Sequence, residues 1–168
     1  MQKKHRRHHL RAKQAKSIIE QASAILKVDF NKIFINKVYV ERVETDFAEI
    51  FILNGRPMLF KVEEKLLPTL PFNELFASTP RIIVDMGAVP YVCNGANVMS
   101  PGIVEFQGHF GKGDLVVIVD EKHGKAIAIG EALYDVETVR KTIKGPVARN
   151  LHFVGDRTWT FIANMRKK

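Results

Sequence analysis

The sequence predicts an α+β protein in two parts, a helix-and-strand unit followed by a small β-barrel. Three observations carry that prediction. One long segment near the start repeats its apolar residues at helical spacing. Alternating apolar runs follow it, punctuated by turn dipeptides. The second half then breaks into short strands with regular turns, the pattern of a small barrel. The length of 168 residues allows one domain or two small ones, and a composition of 46% hydrophobic and 26% charged residues is globular.

The elements are read in order. Ile18, Ile19, Ala22, Ile25 and Leu26 make one apolar stripe and predict a helix from about Arg11 to Lys27. Ile33 to Val43 alternates and predicts a strand. Phe47 to Leu53 and Pro57 to Val62 predict two more, joined at Asn54-Gly55, a strong hairpin dipeptide. The stretch "EEKLLPTLPFNELFASTP" carries three prolines and predicts irregular chain with one short helix near Asn73 to Phe76. The boundary between the parts is expected near Ser78 to Arg81, giving residues 1–79 and 80–168.

In the second part, Ile82 to Asp85 predicts a strand and Gly87 to Cys93 a short helix with Pro90 in its first turn. Ile103 to Phe106, Asp114 to Asp120 and Lys125 to Leu133 predict strands. Asp135 to Ile143 predicts a helix, with Val136 and Val139 inward and Asp135 as N-cap. Leu151 to Val154 and Arg157 to Ala163 predict the closing strands, with Trp159 in the core.

Charge is unevenly distributed. The net charge is +8, and Lys3, Lys4, Arg6, Arg7, Arg11, Lys13 and Lys16 supply seven positive charges with no acid among the first 16 residues. A basic cluster of this kind suits phosphate, or serves only as a solvated tail. No apolar run approaches the roughly 18 residues of a membrane span, and the charged start lacks the apolar core of a secretory signal. Cys93 is the one cysteine, which excludes an internal disulfide and a cysteine-rich zinc site. A cytoplasmic protein is expected.

No motif for catalysis stands out. "GHFGKGD" lacks the spacing of a phosphate-binding P-loop, and GxSxG, HExxH and CxxC are absent. Asp85 is read as the cap of the next helix rather than a catalytic acid, and Cys93 as a small buried hydrophobe. His109 and His123 fall in turns at the surface. His152 has two readings, an RNA contact or a partly buried structural group. The expectation is therefore a binding protein with no catalytic residue, cofactor or metal.

The candidate binding residues form two groups. Asn94-Gly95-Ala96-Asn97 offers backbone amides and amide side chains, which suit phosphate and ribose. The competing reading is that Gly95 and Gly102 only satisfy turn geometry. Gly130 within a strand marks a bulge or a close backbone approach. Tyr134 either stacks on a base or packs in the barrel, and packing is favoured. Lys141, Lys144 and Arg149 are candidate phosphate contacts.

The run "IIVDMGAVPYVCNGANVMSPGI", Ile82 to Ile103, resembles the opening of a PUA domain, an RNA-binding module. The likeness extends through "GRPMLFKVEEKLLPTLPF" and "IKGPVARNLHFVGDRTWTF". From the first helix to Phe161 the chain is similar to the multiple-copies-in-T-cell-malignancies family of translation factors, and most to its shorter archaeal members. The resemblance implies a pre-PUA domain at 1–79 and a PUA domain at 80–168. It further implies a factor that acts with the small ribosomal subunit and the acceptor end of tRNA, in initiation, re-initiation or recycling. Gly95, Ala96, Asn97, Ser100, Gly102 and Gly130 become RNA contacts, joined by Tyr134, Lys144 and Arg149. Lys3, Lys4, Arg6 and Arg7 become a ribosomal RNA anchor. The family's partner bears an SUI domain, which this sequence lacks, so the partner is another chain or is dispensable. The alternative is an RNA-targeting accessory subunit of a tRNA- or rRNA-modifying enzyme.

Overall fold

The basic start of the chain forms the first strand. In the computed structural model, which describes residues 5–72, 74, 76–142 and 144–167, β1 (Arg6–His9) pairs antiparallel with β2 (Val40–Glu44), Arg7 opposite Val43 and His9 opposite Glu41. The Arg7 guanidinium forks onto Glu41, Nε to Oε1 at 3.0 Å and Nη2 to Oε2 at 2.9 Å. That fork holds the Glu41 carboxyl below the usual carboxylate range. This segment is therefore a sheet edge with four exposed side chains, not a free tail. Lys3 and Lys4 lie outside the described residues.

α1 (Ala12–Leu26) matches its expected span and ends at Lys27, which takes the left-handed conformation at φ 55°. Its buried residues are Ala15 and Ala22, while Ile25 is 44% exposed. The expected stripe thus holds at Ala22, with Ile18, Ile19 and Leu26 half-buried, and fails at Ile25. The expected strand from Ile33 is overturned up to residue 39. Asp29 Oδ1 accepts from the Asn31 amide at 2.9 Å and starts a helical turn, α2 (Phe30–Ile33). Phe30 and Phe34, four residues apart, stack at 6.2 Å, a contact that helical spacing allows. Ile35 is 97% and Tyr39 61% exposed, so their alternation lies on no buried sheet face.

β3 (Glu49–Leu53), β4 (Arg56–Val62) and β5 (Lys65–Pro68) complete an antiparallel sheet in the order β1-β2-β3-β4-β5. Asn54 (φ 48°) and Gly55 (φ 82°) both adopt left-handed angles, as a tight hairpin between twisted strands requires. The strand β5 corrects the expectation of irregular chain. A second left-handed pair, Glu63 and Glu64 at φ 49° and 66°, turns the chain without glycine. Pro68 is tolerated because it closes an edge strand. Ile50 to Leu53 are all buried, so β3 is covered on both faces. The helix expected near Asn73 to Phe76 falls on residues that include Asn73 and Leu75, outside the described ones.

Residues Met1–Leu75 and Phe76–Lys168 form two compact units. The second holds β6 (Arg81–Val84), α3 (Val89–Val92), β7 (Val98–Met99), β8 (Ile103–Gln107), β9 (Leu115–Asp120), β10 (Ala126–Ala132), α4 (Val136–Thr142), β11 (Pro146–Phe153) and α5 (Arg157–Arg166). Its six strands are ordered β7-β11-β10-β9-β6-β8, with β6 and β9 parallel, and the sheet curls into a half-barrel. Ile82, Val84, Val98, Phe110, Val116, Ile118, Ala128 and Ala148 sit in one core. Each buried Val or Ile there contributes roughly 1.5–3 kcal/mol. Val136 and Val139 face inward, and the Asp135 carboxylate accepts from the Thr138 amide at 2.7 Å.

The last element is a helix where a strand was expected. Asp156 Oδ1 accepts from the Trp159 amide at 2.7 Å and starts α5. Trp159, expected in the core, is half-buried. β11 begins at Pro146, five residues before the expected strand. No helix of the described residues is long and apolar enough to cross a membrane.

Candidate RNA-binding surface

The candidate surface grows from the sequence between β6 and β8. Asp85 follows β6, and its Oδ1 accepts at 2.8 Å from the amide of Ala88, the residue that precedes α3, so this acid holds the turn into the helix rather than capping the helix itself as expected. The Asp85 amide donates to the Gly102 carbonyl at 2.9 Å. A Cβ at Gly102 would lie 2.9 Å from the Ala88 Cβ, so only glycine lets this turn rest against α3. The Ser100 amide donates to the Gly145 carbonyl at 2.9 Å, and Met99 pairs with Pro146. Lys144, exposed and next to Gly145 in sequence, therefore borders the Met99–Ser100 end.

These elements enclose a cleft of about 450 Å³. Ala88, Tyr91, Val92, Val98, Met99 and Pro101 supply most of its apolar wall. Tyr91 is 71% and Met99 47% exposed at its mouth. α3 is four residues long and buries only Val92, so the neighbouring Tyr91 points away from the core. Asp85 and Asn97 are its polar side chains, and both are engaged: Asp85 on Ala88, Asn97 Oδ1 on the Asn150 amide at 3.1 Å.

This geometry revises how the 94–97 loop works. Three of its amides are spent internally, Asn94 and Ala96 donating to the Tyr91 carbonyl and Gly95 to that of Val92. They do not form an open phosphate cradle. Gly95 has φ 94°, and a Cβ there would lie 3.2 Å from the Phe153 ring, so it serves both the turn and a close approach. What α3 and the loop together offer outward is the Tyr91 ring and an apolar slot, which suit an unstacked base.

The remaining expected residues fall elsewhere. Gly130 is buried, and a Cβ there would meet the Arg149 carbonyl oxygen at 3.1 Å, so its surface is not open to a ligand. Arg149 Nη2 pairs with Glu131 Oε1 at 2.9 Å and is half exposed. Tyr134 is 41% exposed, against the expectation that it packs in the core. Cys93 is half-buried, and burial pushes its thiol up. His152 is fully buried, Nδ1 at 2.7 Å from Asp156 Oδ2, so the structural reading holds and the RNA-contact reading fails.

Two residues were missed in the sequence. Tyr91 lay inside an apolar segment read as a short helix, and which of its side chains faces out was not legible. Asn150 on β11 donates through Nδ2 to the Val92 and Ala96 carbonyls, at 2.9 and 3.0 Å. Its Oδ1 is buried without a hydrogen-bond partner among the described residues. An unpaired buried polar atom costs on the order of 1–3 kcal/mol, which marks this side chain as placed for its two donors. The available signal was a polar residue beside the buried end of a strand.

Comparison with known proteins agrees with this architecture. Residues 80–154 match the PUA domain, and residues 6–72 match a domain of unknown function (DUF1947). An uncharacterized protein of Methanocaldococcus jannaschii is 36% identical over 159 residues, covering 93% of this chain and 96% of its own. Translation machinery-associated protein 20 of Saccharomyces cerevisiae is 31% identical over 123 residues, covering 69% of this chain and 68% of its own. The crystal structure of a hypothetical protein from Pyrococcus horikoshii superposes with a TM-score of 0.77 at 31% identity, covering 94% of this chain and 99% of that one. The PUA match supports RNA binding. With both segments matched in order and a relative aligned over nearly its full length, the chain belongs to the family that joins a DUF1947 region to a PUA domain and includes translation machinery-associated protein 20.

Proposed function

We propose that this protein is a non-catalytic RNA-binding factor of the translation apparatus, acting in the cytoplasm on the small ribosomal subunit and on the acceptor end of tRNA. The observation that carries this reading is the apolar cleft behind Tyr91 and Met99, in a segment that matches the PUA domain. A ring that is open at the mouth of an apolar slot accepts an unstacked base of a single-stranded end. Lys144 borders the slot and supplies charge for the adjoining phosphates. The relation to a protein named for the translation machinery supports the ribosomal setting. Residues 80–168 carry the RNA cleft, and residues 1–79 dock on the ribosome or on a separate SUI-domain partner.

The test is co-sedimentation with purified small ribosomal subunits across a salt series, with free tRNA as competitor. Saturable binding that persists near physiological salt is expected, with competition by tRNA stronger than by duplex RNA. Binding only at low salt, displaced equally by any RNA, would overturn the translation reading and favour an accessory subunit of a modifying enzyme.

The basic start makes a separate, charge-only contribution. Replacing Lys3, Lys4 and Arg6 by glutamine should weaken binding to all RNAs alike. The log–log salt slope should fall by roughly 2–3 units if all three pair with phosphate. Arg7 is left in place because its fork on Glu41 ties down β1. An unchanged slope in a filter-binding titration would show that these charges touch no phosphate.

A further inference from the structure

We infer that Asn150, aimed by a bulge opposite Gly130, is the positioning residue that holds the Tyr91–Met99 cleft in its binding shape. The inference rests on the RNA-binding reading and assigns part of that site's construction to residues that line none of it.

Along the β10–β11 ladder, Ile129 lies opposite His152 while the next residue, Gly130, lies opposite Asn150. Leu151 is therefore the extra residue of a bulge. A bulge breaks the strict alternation of a strand and re-aims the side chain beside it. Here that side chain is Asn150. Its amide nitrogen reaches the Val92 carbonyl at the end of α3 and the Ala96 carbonyl in the loop. Its backbone amide donates to Asn97 Oδ1. Three bonds from one residue thus tie the end of α3 and two residues of the loop that leads into β7 to the sheet. Both carbonyls are acceptors only, so the side chain must present its NH₂ group to them.

Gly130 makes this placement possible. A Cβ there would stand 3.1 Å from the Arg149 carbonyl oxygen and 3.5 Å from Ala148 Cβ and Val116 Cγ2. β11 would have to move by a few tenths of an ångström at the residue before Asn150. Three hydrogen bonds with a direction to keep respond to such a shift. Gly130 thereby acts on the cleft through Asn150 and not by touching RNA.

Three variants of the full chain test this: Asn150→Ser, Asn150→Asp and Gly130→Ala. Exchange of the Gly95 and Ala96 amides, measured by NMR, reads the loop, and exchange of the Ile118 amide reads the core. Affinity for a short single-stranded RNA oligonucleotide, beside wild type, reads the cleft. Loop exchange about tenfold faster with core exchange unchanged is expected in Asn150→Ser and Gly130→Ala, with affinity about tenfold lower at an unchanged salt slope. In Asn150→Asp the new carboxylate faces two carbonyl oxygens. Its protonation restores one donor, and because burial beside two carbonyl oxygens disfavours the charged form, affinity relative to wild type should recover as the pH falls while still above the ordinary carboxylate range. A residue that only supported the fold would give no such recovery.

Wild-type affinity in folded Asn150→Ser and Gly130→Ala overturns the positioning inference alone. Wild-type protein that binds no RNA overturns the functional reading and this inference together. Should Asn150→Asp fail to fold, the two milder variants decide.

Discussion

Truncation of Tyr91 to alanine is expected to weaken binding of single-stranded RNA by roughly 5- to 150-fold, the equivalent of the 1–3 kcal/mol that one aromatic–base stack contributes. The ring is 71% exposed, so it makes little contact with the core. Its removal should leave the unfolding midpoint nearly unchanged, because surface substitutions of this kind stay within about 0.5 kcal/mol. The salt slope should also hold, since no charge is altered. Tyr91→Phe should bind nearly as wild type. A titration in which Tyr91→Ala binds with wild-type affinity would remove the ring from the interface and leave the cleft without its main contact.

The largest loss of stability is expected at Asp156. Its Oδ1 caps α5 through the Trp159 amide, and its Oδ2 meets both the Phe153 amide at 3.0 Å and the buried His152 ring. Asp156→Ala removes a cap worth about 1 kcal/mol and strands a buried ring nitrogen at about 1–3 kcal/mol more. The sum is a destabilisation of roughly 2–4 kcal/mol by urea unfolding at neutral pH. Asp156→Asn keeps an acceptor for the cap and should lose less. Burial pushes the Asp156 carboxyl up, but the His152 ring and the Trp159 and Phe153 amides outweigh it and hold the group below the usual carboxylate range. A lowered folded-state pKa means that this contribution is complete above the unfolded value, about 3.9, and is lost as pH falls through the folded value. Wild type and Asp156→Asn should therefore converge in stability as the solution is acidified from pH 5. A constant gap down to strongly acidic pH would contradict the assignment.

The parts legible in the sequence were those written by local chemistry. Asn54-Gly55 announced its hairpin because glycine and asparagine tolerate left-handed angles that most residues resist. Glu63-Glu64 adopt the same angles with no such mark, and β5 stayed hidden behind them. The 33–39 segment alternates like a strand, but the Asp29 cap and the Phe30–Phe34 stack commit its start to a helical turn. Arg157 to Ala163 reads as β-rich through Trp159 and Phe161, yet the Asp156 cap and packing against β11 make it a helix. In the last two cases a capping carboxylate, helped by local packing, outweighed the propensity of the residues after it. At the site, Gly95 and Gly102 were visible as special positions. Their neighbour Tyr91 was not, because exposure of one ring depends on where a four-residue helix stops. Asn150 was beyond reach, since its partners lie 54 and 58 residues away in the chain.

The strand order of the two sheets also sets when each can form. β2 to β5 pair only with sequence neighbours, so that meander is complete once residue 68 is available. The second sheet is different. β6 finds its parallel partner only after residue 115, and β7 waits for Pro146 and Ala148. Pairings between distant segments are slow, because chain must be closed into a loop before any contact rewards it. A ribosome making this chain releases a first half able to fold as it emerges. In the half that carries the cleft, β6, β8, β9 and β10 can pair once residue 132 is available, but β7 and α3 with Tyr91 gain their support only when β11 arrives.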